Sequence, residues 1–123
     1  MDIKTIDPAL DLLKVFGKLA KGTTVDIERM RQKVIFSDGL IPKKYKTLAA
    51  VLWAVSSRCE PCAKYYVAKA KEFGVTEEEI GEALAIASTM GGCVGEMWAL
   101  KAFKAFKGDT EEGTVDDPSC CTT

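Results

Sequence analysis

The chain has 123 residues, 47% of them apolar, and a formal net charge of −1 from 17 basic and 18 acidic side chains. That length fits one domain with a real core, and the balanced charge offers no broad cationic surface to nucleic acid or anionic lipid. There is no histidine, which removes the commonest general base and metal ligand from every mechanism considered below.

The first residues, Met1 to Pro8, are charged and lack the apolar run of a signal peptide. The longest apolar run, Leu48 to Val55, is too short to span a bilayer. The expectation is a cytoplasmic protein with no membrane and no nucleic-acid partner. Five cysteines are an odd number, and in a reducing compartment that favours transient redox or metal chemistry over a disulfide framework.

In chain order, Asp7 and Pro8 form a helix start. Leu12, Val15, Phe16 and Leu19 follow at helical spacing up to Gly22, placed as a stop. Thr24 or Asp26 caps a second helix whose Ile27, Met30 and Val34 share a face, ending at the turn Ser37-Asp38-Gly39. Pro42 opens a third, with a stripe of Leu48, Leu52 and Val55 widened by Ala49, Val51 and Trp53, so this helix is expected to be buried on several sides. Lys43, Lys44 and Lys46 in its first turn have the wrong sign for a helix N-terminus; they read as a solvated face or as a docking patch for an acidic partner.

A fourth helix is predicted to begin inside Cys59-Glu60-Pro61-Cys62, with Pro61 in its first turn, and to run through Val67 and Ala70 to Phe73 before Gly74 ends it. Thr76-Glu77-Glu78-Glu79 is a capping box that opens a helix carrying Ile80, Ala83, Leu84, Ala87 and Met90 on one face. Gly91-Gly92 interrupts that pattern, and a last helix carries Val94, Met97, Trp98, Ala102 and Phe106. The two tryptophans, Trp53 and Trp98, read as core residues with some apolar surface left for a subunit interface. The expectation is an all-α bundle of about six helices over residues 1–108. Residues 109–123 change to Gly, Asp, Glu and Thr and read as a flexible acidic tail that ends in the vicinal pair Cys120-Cys121.

The chemistry concentrates at Cys59 and Cys62. One thiol of a C-x-x-C pair attacks and the other, already at high effective concentration, resolves the product; the same spacing also suits half of a metal site. A thiolate at a helix N-terminus is stabilised by unpaired N–H groups and the dipole, with Arg58 adding and Glu60 subtracting. Cys59, at the helix boundary, is expected to be the more exposed sulfur. Cys62 faces one turn inward toward Tyr66, whose phenol donates a hydrogen bond but is a poor base at neutral pH. Cys93, at the Gly91-Gly92 bend, reads as a small core residue or a third thiol near the motif. The small residues around it read as letting helices approach closely rather than as a phosphate cradle. Cys120-Cys121 reads either as a relay of electrons into Cys59-Cys62 or as an end with no role.

Beyond the pair itself, the block Lys46 to Leu48, Cys59-Glu60-Pro61-Cys62-Ala63-Lys64-Tyr65-Tyr66, the segment Gly74 to Leu84 and the pair Gly91-Gly92 together resemble the carboxymuconolactone decarboxylase / AhpD-like alkylhydroperoxidase family over roughly residues 42–106. The resemblance implies an all-helical fold assembled as trimers or hexamers, and a disulfide reductase or peroxidase that cycles between dithiol and disulfide. The peroxidase branch has C-x-x-C-x-x-x-H with a glutamate about one helix upstream. Here those two positions fall on Tyr66 and Thr47, so only Cys59 and Cys62 carry over. The decarboxylase branch lacks the thiol pair, and that activity is not implied.

The leading expectation is a thiol–disulfide oxidoreductase in which Cys59 exchanges with a thiol or disulfide partner protein or a small dithiol, Cys62 resolves, and Tyr66 completes the site without cofactor or metal. Peroxide reduction is weaker because the usual proton relay is missing, leaving Glu60, Tyr66 and Glu96 as proton acceptors. The alternatives are a cysteine-bound metal or iron–sulfur protein, whose four thiolates would be Cys59, Cys62, Cys120 and Cys121, and a catalytically silent helical assembly protein.

Overall fold

The computed structural model describes residues 6–108 and is all-helical. The expected acidic tail and Cys120-Cys121 lie outside the described residues. A 3-10 segment, Pro8–Leu12, leads into α1 (Leu13–Leu19), α2 (Thr23–Val34), α3 (Lys43–Ser56), α4 (Glu60–Glu72) and α5 (Glu77–Lys107). Helix α5 is broken at Gly92 (φ 62°, ψ −144°), where the glycine pair interrupts the sequence pattern. That conformation is open essentially to glycine alone. On the far side of the break, a Cβ on Gly95 would run into the carbonyl of Ala87, so Gly95 lets the two halves of α5 approach closely.

Three junctions share one device. After α1, α3 and α4 the chain turns through a left-handed residue, Lys21 (φ 60°), Arg58 (φ 59°) and Gly74 (φ 92°) respectively. Each turn is closed by a pair of bonds back into the helix: Lys21 N to Lys18 O with Gly22 N to Gly17 O, Arg58 N to Val55 O with Cys59 N to Ala54 O, and Gly74 N to Lys71 O with Val75 N to Ala70 O. This is the Schellman arrangement. Only the last uses glycine in the left-handed position. After α1 that position is Lys21, and Gly22 (φ 84°) instead caps α2, in place of the expected Thr24 or Asp26. At Thr76 the capping box forms with both reciprocal bonds, Glu79 N to Thr76 Oγ1 at 3.1 Å and Thr76 N to Glu79 Oε1 at 2.9 Å.

Helices α3, α4 and α5 pack mutually around Val51, Val55, Val67, Ala70, Val75, Ile80, Leu84, Ala99, Ala102 and Phe106. By length and composition alone α5 passes as a membrane-crossing helix. It is broken at Gly92, and Ile80, Leu84, Ala99, Ala102 and Phe106 are its buried residues. The α3 lysines are satisfied within the fold: Lys44 pairs with Glu79 at 3.0 Å, Lys46 donates to Ser37 O at 3.0 Å, and Lys43 sits 4.7 Å over the Phe73 ring. Trp53 is not core. It is 69% exposed, and Trp98 is half-buried.

The 3-10 segment, α1 and α2 form an arm beside this core. Its apolar stripe faces outward: Leu12, Val15, Phe16 and Leu19 are all exposed, as are Met30 and Val34 of α2. The arm is anchored by Phe36, which is buried and meets the rings of Tyr65, Tyr66 and Phe73 at 6.1, 6.0 and 5.7 Å. Edge-to-face packing of this kind adds to the stabilisation from area burial.

The backbone at Gly92 yields a direct test. Gly92→Ala is expected to lower stability by about 1–3 kcal/mol in urea unfolding, because a Cβ is strained at that φ and ψ. Gly91→Ala has open space around it and helical backbone, so it is expected to be neutral or stabilising by up to about 1 kcal/mol.

Candidate active site

The end of α3 delivers the chain directly into the motif. With Arg58 in the left-handed position, Cys59 closes the Schellman turn through its N–H and serves as N-cap of α4 through its sulfur. Cys62 N–H points at Cys59 Sγ at 3.3 Å, and Pro61 lies in the first turn of the helix. Cys59 and Cys62 are joined as a disulfide with their Cα atoms 5.3 Å apart, within the usual span of such bonds. Sequence spacing, helix start and sulfur–sulfur bond therefore coincide at one place.

Both cysteines are half-buried, so Cys59 is not distinctly the more exposed sulfur. What separates them is direction. Cys62, together with Pro61, Tyr65 and Tyr66, lines an open groove of about 1480 Å³ between α4 and the arm, and Cys59 does not line it. The arm's wall of the groove is formed by Ile6, Leu10, Leu13, Lys14, Gly17, Lys18, Lys21, Val25, Ile27, Glu28 and Arg31, among others. Helix α1 thus gives Leu13, Lys14, Gly17 and Lys18 to the groove, while Val15, Phe16 and Leu19 do not line it.

Tyr66 follows Cys62 by four residues on α4, which puts both on one helix face. Its phenol oxygen accepts a 2.9 Å hydrogen bond from Arg31 Nε, and Arg31 Nη1 pairs with Glu28 Oε1 at 3.0 Å. Sequence reading missed Arg31 and Glu28. The contact with Tyr66 joins residues 35 apart in sequence, and the only local signal was the i, i+3 acid–base pair of Glu28 and Arg31.

Other expected contributors sit elsewhere. Arg58 lines a second groove of about 460 Å³ with Trp53, Met90, Gly91, Val94 and Trp98. Glu60 pairs with Lys64 at 3.4 Å. Thr47, at the position of the upstream glutamate, is fully buried and donates through Oγ1 to Lys43 O at 2.8 Å. Glu96 is exposed, Cys93 is half-buried, and neither lines either groove. Among the described residues no three Cys, Asp or Glu side chains group closely enough to hold a metal ion; the four-thiolate set includes Cys120 and Cys121, outside those residues.

Comparison with known proteins agrees with this architecture. The family model of the carboxymuconolactone decarboxylase family matches residues 26–105, and the chain belongs to that family. It is similar to an uncharacterised protein of Cupriavidus necator, 32% identical over 107 residues, covering 85% of this chain and 93% of that one. It is also similar to an uncharacterised protein of the cox locus of Paracoccus denitrificans, 40% identical over 58 residues, covering 47% of this chain and 52% of that one. The crystal structure of a carboxymuconolactone decarboxylase family protein from Legionella pneumophila superposes with a TM-score of 0.76 at 28% identity, covering 85% of this chain and 94% of that one. The family and the bonded Cys59–Cys62 pair are compatible with a redox role.

Burial beside the groove, with the Glu28 carboxylate adding to it, pushes the Tyr65 phenol above its ordinary value. A raised folded-state value means that the neutral phenol's contribution to stability is fully present below the unfolded value of about 10 and is lost as pH rises through the higher folded value. Tyr65→Phe is therefore expected to flatten the alkaline edge of the stability profile, read by thermal unfolding above about pH 9. An alkaline edge unchanged by the substitution would refute this assignment.

Proposed function

We propose that this protein is a thiol–disulfide oxidoreductase of the AhpD-like type that accepts reducing equivalents from a dithiol at the groove. The observation that carries the reading is the Cys59–Cys62 disulfide at the start of α4, with Cys62 lining an open groove. A donor thiolate entering the groove attacks Cys62 Sγ. The Cys59–Cys62 bond breaks, and Cys59 leaves as a thiolate that accepts the Cys62 N–H and lies at the positive end of the helix dipole. The donor's second thiol then attacks its own sulfur in the mixed disulfide and releases Cys62. The donor dithiol has lost two electrons and two protons, and the pair has gained them.

Run in reverse, Cys62 attacks a substrate disulfide through the groove and Cys59 resolves it. This exchanges the roles expected from sequence, and the support for the exchange is that Cys62 is the sulfur on the groove. Peroxide reduction has weaker support, since Tyr66 and Thr47 stand where the family's proton-relay residues would be.

Mass-resolved thiol trapping across a redox titration tests this reading. The pair is expected to titrate as one two-electron couple within roughly −270 to −120 mV, the span of known dithiol carriers. With a small monothiol disulfide, Cys62→Ser is expected to abolish mixed-disulfide formation, whereas in Cys59→Ser the Cys62 thiolate attacks one sulfur, the other leaves as a thiolate, and the mixed disulfide accumulates for want of a resolving thiol. A pair that cannot be reduced and reoxidised in this range sinks the proposal.

We further propose that the chain works as a homo-oligomer. Supporting this are the outward stripe of the arm and the patch formed by Trp53, Ile86, Met90 (83% exposed) and Val94, exposed apolar side chains of the kind that mark interaction surfaces. Light scattering is expected to give a trimer or hexamer, and Trp53→Glu with Met90→Glu a smaller species; a monomeric wild-type protein would rule this out.

A further inference from the structure

We infer that Arg31, on α2 of the arm, is a positioning residue for the redox pair: it fixes the Tyr66 phenol so that its O–H is presented to Cys62. The inference rests on the proposed exchange chemistry at that sulfur.

The guanidinium has donors only, so in the 2.9 Å contact between Arg31 Nε and Tyr66 the phenol oxygen is the acceptor. Tyr66's own proton must then point away from Arg31. Tyr66 and Cys62 lie one helical turn apart on α4 and line the same groove, with Cβ atoms at this spacing about 5–6 Å apart. Long side chains on a helix lean back over the preceding turn, here the turn that carries Cys62.

The clamp is held from several directions. Glu28 pairs with Arg31 at 3.0 Å and is itself held by Gln32 Nε2 at 2.8 Å. The Tyr66 ring packs against Phe36 at 6.0 Å and Tyr65 at 5.1 Å, which limits its swing. Arg31 is also a fixed charge. Burial works to lower its proton affinity, but the hydrogen bonds to Tyr66 and Glu28 outweigh this and hold it above the ordinary value. A residue that keeps its proton is not a relay. When the mixed disulfide is resolved and Cys62 leaves as a thiolate, Tyr66 O–H donates a hydrogen bond to it, and no proton passes through Arg31. The family's relay residues are thus replaced by a donor held in place from another helix.

The test is a double-mutant cycle on the full chain with Arg31→Gln, Tyr66→Phe and the double variant, plus Arg31→Lys. The readout is the rate at which iodoacetamide alkylates Cys62 in the protein reduced with a trialkylphosphine and freed of it, at neutral pH, resolved by mass spectrometry. Losing one hydrogen bond to the thiolate is expected to slow alkylation roughly threefold, because the loss of thiolate is offset in part by higher intrinsic nucleophilicity. Arg31→Gln is expected to slow it comparably in the wild-type background and not at all in Tyr66→Phe, with Arg31→Lys recovering part of the rate.

Equal slowing by Arg31→Gln in both backgrounds, or none in either, overturns the inference. Should Arg31→Gln lose its helical circular dichroism, Arg31→Lys replaces it in the cycle under the same criterion. Alkylation requires no redox partner, so the cycle is decided even if the disulfide fails to exchange with dithiothreitol, an outcome that counts against the proposed function alone.

Discussion

The structure turns on one sulfur that does two jobs. Cys59 Sγ accepts the Cys62 N–H and so caps α4. A helix whose first N–H groups have no intrahelical partner needs such an acceptor, and here the acceptor is also half of the Cys59–Cys62 disulfide. Once Cys59 is the cap, Cys62 is fixed within the first turn and Tyr66 one turn beyond. The Schellman turn at the end of α3 sets where that cap falls, through the bond from Cys59 N to Ala54 O. It requires Arg58 to be left-handed, a conformation unfavourable for a residue with a Cβ by about 1–2 kcal/mol. That strain sits beside the Cys59–Cys62 disulfide, whereas the same turn after α4 is made with Gly74 and carries none.

Much of this was legible in the sequence because its signals are local. The start of α4 follows from a cysteine, a proline and the apolar positions Val67 and Ala70. The start of α5 follows from Thr76 and Glu79, and its break from Gly91-Gly92. Each is a rule about a few adjacent residues, and each reappears in the fold. The end of α1 was less legible. Lys21 takes the left-handed position that Gly22 would be expected to fill, and nothing in the local pattern distinguishes two neighbouring residues that both adopt positive φ.

What the sequence did not disclose is what lies across space. A stripe such as Leu12, Val15, Phe16 and Leu19 says that a helix has an apolar face, not which body that face covers. Here it does not line the groove, and Leu13, Lys14, Gly17 and Lys18 do. The same ambiguity applies to Trp53, whose helix buries Val51, Ala54 and Val55 and leaves the indole outside. Arg31 was invisible for a related reason. A half-buried arginine on a polar helix face reads as solvent-facing until the partner, 35 residues away, is known.

Substitution at the relay positions also changes what the site asks of its surroundings. A histidine offers two ring nitrogens, one able to donate and one to accept; in the proposed exchange a phenol at the same place serves as a directed hydrogen-bond donor. Direction must be imposed from outside α4, because an O–H rotor is free to turn. The arm supplies that constraint through Arg31 and restricts the ring through Phe36. The arm's attachment to the core is thus concentrated at the residues that orient Tyr66. Any movement of α2, including one imposed by whatever covers its exposed stripe, would be felt first at the hydrogen bond beside Cys62.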